Sequence, residues 1–220
     1  MTILIRLAIV AISITSCCSC AAKAPRITGT VTVTPQAPDL SGVLSLSGKR
    51  AFAQACPIGP GLALTNAHVI GDEKYHRYIW ESRGSVGLLG SPRTTEYDHF
   101  RDLARVAPWR EPQFPKWYDI ATAAPVPGDK VHFRGWDFRK RKDAFAARDF
   151  EATVIRVRNA HVYYYPPGVE GTSGSCVLNA AGEVVAINVL GMATEDNNGV
   201  GGGVGVWGDL LQLGQERAAQ

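Results

Sequence analysis

Two short segments carry side chains fit for chemistry. Leu64-Thr65-Asn66-Ala67-His68-Val69 puts a histidine just after an apolar run. Further on, Gly171-Thr172-Ser173-Gly174-Ser175 puts a serine between glycines. A serine hydroxyl is a weak nucleophile until a base takes its proton, and histidine titrates in the range to do so. Small residues on both sides of the serine let the chain turn sharply and leave backbone N–H groups free to face a substrate oxygen. Either segment alone is weak: a serine in a glycine turn is usually a turn residue, and a histidine after a strand is usually structural. Their order, with an aspartate between them, is what raises the reading to nucleophilic catalysis.

Two aspartates compete for the third position, one in Arg101-Asp102-Leu103-Ala104 and one in Tyr118-Asp119-Ile120-Ala121. With either, the chain resembles the trypsin-like (chymotrypsin-fold) serine peptidases, in particular the short bacterial and viral type. That family has a T-x-A-H-V/C histidine motif, an Asp-Leu/Ile-Ala aspartate motif and a G-x-S-G serine motif, in this order. The resemblance covers about residues 40 to 210. Asp102 suits the spacing of a compact member and leaves room for a linker with Pro108, Pro112 and Pro115 before the strand signal at Gly128–Val131. Asp119 falls inside that linker and stays as the minority candidate. A hydrolase elbow of the G-x-S-x-G kind fits poorly, because Ser175 replaces the last glycine and that class runs serine, acid, histidine.

The resemblance implies a role for each residue. Ser173 is the nucleophile, His68 the general base and acid, and Asp102 the group that holds the imidazole in its productive tautomer. The backbone N–H groups of Gly171 and Ser173 form the oxyanion hole. The specificity pocket has Pro167 at its base, walls from the stretch through Val189, Leu190 and Gly191, and Gly203 at its back. None of these is acidic, so small to medium apolar side chains are expected before the cut bond; Glu170 is the nearby carboxylate, on the turn. The family's segments around Cys56 and Cys176 approach each other behind the active site, which implies a disulfide between them, with two free buried thiols as the alternative. Digestive members carry an aspartate before the serine to receive a freed N-terminus; here Thr172 stands there, as in bacterial members that need no such activation.

The elements that must position these residues are short strands punctuated by turns, the pattern of an all-β protein. The expected strands are Gly42–Ser47, Arg50–Cys56, Leu62–Thr65, Tyr75–Ser82, Val86–Leu89, Asp102–Val106, Lys130–Gly135, Phe150–Arg158, His161–Tyr165, Ser175–Leu178, Glu183–Val189 and Val204–Trp207. A short helix is expected from Asp209, with Leu210, Leu211 and Leu213 on its apolar side. The fold implied is two antiparallel Greek-key β-barrels, spanning 40–112 and 113–215, with the active site between them.

The N-terminus reads as a targeting segment. Arg6 supplies a positive charge, and Leu7–Thr15 is apolar but far shorter than the roughly 20 residues that span a bilayer. Ile14-Thr15-Ser16-Cys17 resembles a bacterial lipobox, which makes 1–16 a signal peptide, Cys17 the lipidated residue and 17–39 a tether. Cys18 and Cys20 are alternatives, as is an ordinary secretory signal. The expected place is therefore the bacterial cell envelope, with a membrane partner through the lipid and a polypeptide as substrate. A net charge of +3 is too small to argue for nucleic acid, and the basic run Arg139–Lys142 reads as a solvated hairpin tip. No metal-ligand spacing and no cofactor motif occurs. The reading is a serine endopeptidase working through an acyl-enzyme. The alternatives are a catalytically silent, peptidase-like binding protein or an esterase with the same triad.

Overall fold

Alternation of apolar and polar residues is the rule along the chain, and strands follow from it. In His161–Tyr165 the side chains of Val162 and Tyr164 are buried, while His161, Tyr163 and Tyr165 face outward or lie at the margin. Val184–Val189 departs from alternation: five of its six residues are buried, because this strand is covered on both faces. The structure is a computed structural model, and it describes residues 38, 40, 43–47, 52–71, 77–82, 85–90, 92–108, 114–136, 147–189 and 199–210. All of these fall within one compact unit, Pro35–Gln220.

The first lobe is a seven-stranded antiparallel sheet. Its strands are β1 (Val43–Ser47), β2 (Phe52–Gly59), β3 (Leu62–Thr65), β4 (Arg77–Ser82), β5 (Ser85–Gly90), β6 (Pro92–Asp98) and β7 (Leu103–Pro108), in the order β5-β4-β1-β2-β3-β7-β6. A single-turn helix, α1 (Ala67–Gly71), follows β3 directly. The second lobe is a closed antiparallel barrel of β8 (Lys130–Trp136), β9 (Ala147–Arg158), β10 (His161–Tyr165), β11 (Cys176–Leu178), β12 (Val184–Val189) and β13 (Gly201–Gly205). Chain order and spatial order differ: β8, β9 and β10 run as neighbours, then β11 crosses back to pair with β8.

Three apolar clusters hold these elements. One belongs to the first lobe, with Ala53, Ala63, Val69, Val106 and Phe114. One fills the barrel, with Val131, Phe133, Val154, Val162 and Tyr164; the Phe133 and Phe150 rings stack at 5.0 Å. The third draws on both lobes: Cys56 and Leu64 from the first sheet pack with Leu178, Ile187 and Val204 of the barrel. Burying one Leu or Ile side chain contributes roughly 1.5–3 kcal/mol, so this seam resists separation of the lobes. The segment after the first sheet reinforces it. Phe114 N–H donates to Pro60 O at 2.7 Å and Tyr118 N–H to Pro57 O at 3.0 Å, while Ile120 bridges to Val184.

Three differences from the sequence expectation have clear causes. β6 was not expected, since Pro92-Arg93-Thr94-Thr95-Glu96 begins with proline and has no apolar alternation; it is an edge strand, where proline is tolerated. β13 spans Gly201–Gly205 rather than Val204–Trp207. Glycine has low strand propensity, yet here the bare backbone is required: a Cβ on Gly201 would stand 2.7 Å from Pro167 Cα and 2.8 Å from the Tyr164 ring. α1 is a single turn and carried no periodic signal. The expected C-terminal helix past Leu210, the expected signal segment, the expected tether apart from residue 38, and Arg139–Lys142 lie outside the described residues.

Candidate active site

β3 delivers His68. Its buried residues Ala63, Leu64 and Thr65 fix the strand, and α1 begins two residues later, so the imidazole emerges at an exposed corner. Asp102 arrives on the turn between β6 and β7. It sits in the left-handed region, at φ 54°, a conformation that aspartate tolerates better than most residues. Asn66 Nδ2 donates to the Asp102 carbonyl at 3.3 Å. The neighbouring Arg101 guanidinium reaches the barrel, donating to Gly205 O at 2.9 Å and to Leu210 O.

These two turns bring His68 and Asp102 into a two-point contact. The His68 backbone N–H donates to Asp102 Oδ1 at 2.8 Å, and His68 Nδ1 lies 2.7 Å from Asp102 Oδ2. A carboxylate accepts, so Nδ1 carries the proton and Nε2 keeps its lone pair, the tautomer a general base needs. The histidine pKa is raised above its ordinary value. The hydrogen bond to Asp102 is the largest cause, opposed by partial burial and aided by the carboxylate's charge. Asp119 is placed elsewhere. Its carbonyl accepts from Val184 N–H at 2.8 Å, which ties its backbone to β12, and its side chain is exposed.

The serine turn lies between β10 and β11, and both lobes grip it. From the first lobe, Gln54 N–H donates to Ser173 O at 2.8 Å, and Gln54 Nε2 donates to Gly171 O at 3.1 Å. From the barrel, Gly174 N–H donates to Asn188 O at 2.8 Å and Asn188 N–H to Ser175 O at 2.9 Å. Gly171 and Gly174 both have positive φ, 91° and 87°. At Gly174 no side chain fits: a Cβ would stand 2.0 Å from Gln54 O and 2.6 Å from Thr65 Oγ1. Thr65 is three residues before His68, and its hydroxyl donates to Gln54 O at 2.8 Å. The serine turn is therefore pressed onto the strands that lead into the histidine. Just beyond it, the Cys56 sulfur of β2 and the Cys176 sulfur of β11 stand 2.22 Å apart, with Cα atoms at 4.8 Å.

The expected pocket residues divide. Pro167 and Val189 are half-buried, and Gly203 is buried against Ile187 and Ala186 of β12. Gly201, rather than Gly203, is the glycine whose missing side chain faces Pro167. Leu190, Gly191 and Cys17 lie outside the described residues. Glu170 is exposed on the turn. Sequence reasoning missed Gln54 and Tyr164 altogether. A glutamine between two alanines in a strand, or a tyrosine among three, carries no local mark of its role.

No family model and no curated protein matches this chain. Solved structures do. A serine endoprotease from Yersinia pestis aligns over 81% of this chain at 20% identity and TM-score 0.60; the chain spans only 62% of that protein. A Glu endopeptidase aligns over 86% of this chain and 95% of its own, at 15% identity and TM-score 0.63. An inactive mutant form of a protein from M. tuberculosis aligns over 81% and 87%, at 16% identity and TM-score 0.62. At such identities the likeness is one of fold. The chain has the trypsin-like serine peptidase fold.

Proposed function

We propose that the chain is a serine endopeptidase that hydrolyses peptide bonds through Ser173, His68 and Asp102. The observation that carries the proposal is the two-point contact of His68 with Asp102, at 2.7 and 2.8 Å, beside a serine turn seated on the histidine strands. Ser173 Oγ attacks the scissile carbonyl while His68 Nε2 takes its proton. The carbonyl oxygen becomes an oxyanion facing the N–H groups of Gly171 and Ser173. The imidazolium, stabilised by Asp102, returns the proton to the leaving amine. Water then enters, loses a proton to the same nitrogen and adds to the acyl carbon; the bond to Ser173 Oγ breaks as that nitrogen passes the proton to Oγ, which releases the acid and restores the serine. Losing one oxyanion donor typically lowers the rate by about 100- to 1,000-fold, so the turn's shape matters as much as the hydroxyl.

The fold shared with a serine endoprotease and a Glu endopeptidase supports a peptidase over an unrelated hydrolase. Pro167, Val189 and Gly201, which faces Pro167, carry no charge, which supports an apolar side chain before the cut bond. The lipobox-like Ile14-Thr15-Ser16-Cys17 supports export and attachment to a bacterial envelope through lipid on Cys17. The proximity of Cys56 and Cys176 supports a disulfide, which an exported protein is free to form.

The test is labelling of the exported protein with a fluorophosphonate probe. Wild type is expected to label, and Ser173→Ala and His68→Ala to lose labelling while remaining folded. Labelling of Ser173→Ala at the wild-type rate refutes the assignment. Absence of labelling in folded wild type favours the silent binding protein instead, and ester turnover without peptide turnover favours the esterase.

A further inference from the structure

Behind the serine turn lies a fully buried polar group that the proposed mechanism does not use. Asn188, on β12, is 0% exposed, as are Tyr164 and Thr172. Asn188 Nδ2 donates to Thr172 O at 2.7 Å and to Thr172 Oγ1 at 3.0 Å. Its Oδ1 accepts from the Tyr164 hydroxyl, which also lies 3.0 Å from Gly202 O. Its backbone N–H and carbonyl bond Ser175 and Gly174. One residue thus holds three of the four residues from Thr172 to Ser175 from inside the barrel.

The geometry points to Asn188, oriented by Tyr164, as the positioning residue that aims the Ser173 N–H at the oxyanion. This rests on the proposed peptidase reading. The Thr172 carbonyl and the Ser173 N–H belong to one planar trans peptide and so point in opposite directions. The carbonyl is fastened inward by three donors: Asn188 Nδ2 at 2.7 Å, Ser175 Oγ at 2.8 Å and Ser175 N–H at 3.1 Å. The N–H on its far side is thereby turned away from the interior. Rotating that peptide requires breaking these bonds in a buried site, where an unpaired polar group is costly.

Tyr164 fixes which way the amide faces. Thr172 O offers no proton, so the nitrogen of Asn188 must turn toward it and the oxygen toward Tyr164. Burial pushes the Tyr164 phenol far above its ordinary value, so the hydroxyl remains a donor throughout the working pH range. The position that in digestive relatives needs an aspartate and a freed amine is here held by neutral, preformed bonds. The turn is set on folding, with no cleavage required.

The test uses the full chain with a fluorophosphonate probe, reading kinact and KI separately, and hydrogen exchange of the segment 171–176. Asn188→Ala is expected to lower kinact at least tenfold, toward the roughly 100-fold loss of one oxyanion donor, with KI within about twofold. Exchange at Ser173 to Ser175 rises. Tyr164→Phe removes a single hydroxyl and is expected to give a smaller loss of the same kind; it carries the test if Asn188→Ala does not fold. Unchanged kinact, unchanged exchange, or a raised KI at constant kinact overturns the inference, the last by placing Asn188 in substrate binding. If folded wild type does not label but turn exchange responds, the peptidase reading fails, and the catalytic role of Asn188 fails with it.

Discussion

Gly174→Ala tests how tightly the serine turn is seated. The added Cβ would meet Gln54 O at 2.0 Å, Thr65 Oγ1 at 2.6 Å and Gln54 C at 2.8 Å. The first and last are backbone of β2, so no side-chain rotation relieves them. Relief requires the turn to lift from β2, which breaks the Gln54 N–H to Ser173 O bond, 2.8 Å long. The φ of 87° adds strain for any residue with a Cβ, about 1–2 kcal/mol. Overpacking adds about 1–3 kcal/mol and the lost hydrogen bond about 1 kcal/mol. The expected loss is about 3–6 kcal/mol, or a fall in Tm of about 6 to 24 °C for a chain of this size. Gly128→Ala is the control. Its φ is 99°, but nothing lies within 4 Å of its Cβ. It is expected to show the backbone strain alone, about 1–2 kcal/mol. The assay is thermal and denaturant unfolding of both variants, with probe labelling alongside. Equal losses in the two variants, or a Gly174→Ala protein with wild-type Tm and labelling, refutes the seating of the turn on β2.

His68 is expected to titrate above ordinary histidine, and Asp102→Asn to lower its midpoint, because the Asp102 hydrogen bond is the largest cause of the rise. NMR titration of the imidazole reads this. A raised folded pKa means the pair stabilises the fold below the unfolded histidine pKa and loses that contribution as pH rises through the folded one, whereas acylation gains in the same direction; an unshifted midpoint in Asp102→Asn contradicts the pairing. Cys56→Ser with Cys176→Ser is expected to lower stability by about 3–5 kcal/mol, since the link closes a loop of 120 residues; unfolding with and without reductant checks it, and identical curves reject the bond. Cys17→Ala is expected to release the protein from bacterial membranes or stall its processing, and a soluble wild type beginning beyond Cys20 contradicts the anchor. A peptide-library digest is expected to show cleavage after small to medium apolar residues; dominance of Lys, Arg or Glu at that position sinks the apolar pocket.

Motifs were legible because their chemistry is local. A histidine after an apolar run and a serine between glycines stand out in a few residues, and the order of the two narrows the family of folds. Most strands were legible for the same reason, since alternation in Phe150–Arg158 or His161–Tyr165 needs no partner to be seen. β6 and the glycine strand β13 were not, because their strand state comes from pairing and close backbone contact rather than from propensity.

The sequence by itself supplied the candidates: a serine between glycines, a histidine after an apolar run, two cysteines outside the N-terminal segment and two competing aspartates. The tertiary structure decided between contacts. It sets Asp102 against His68 because the β6–β7 turn lies beside α1, and it draws Asp119 to β12 through backbone bonds. It also gathers Gln54 of β2, Tyr164 of β10 and Asn188 of β12 around the serine turn. Side-chain type is a local property and is written in the chain. A hydrogen bond between residues 117 apart, as from Gln54 to Gly171, exists only once two lobes have packed, and no spacing rule encodes it.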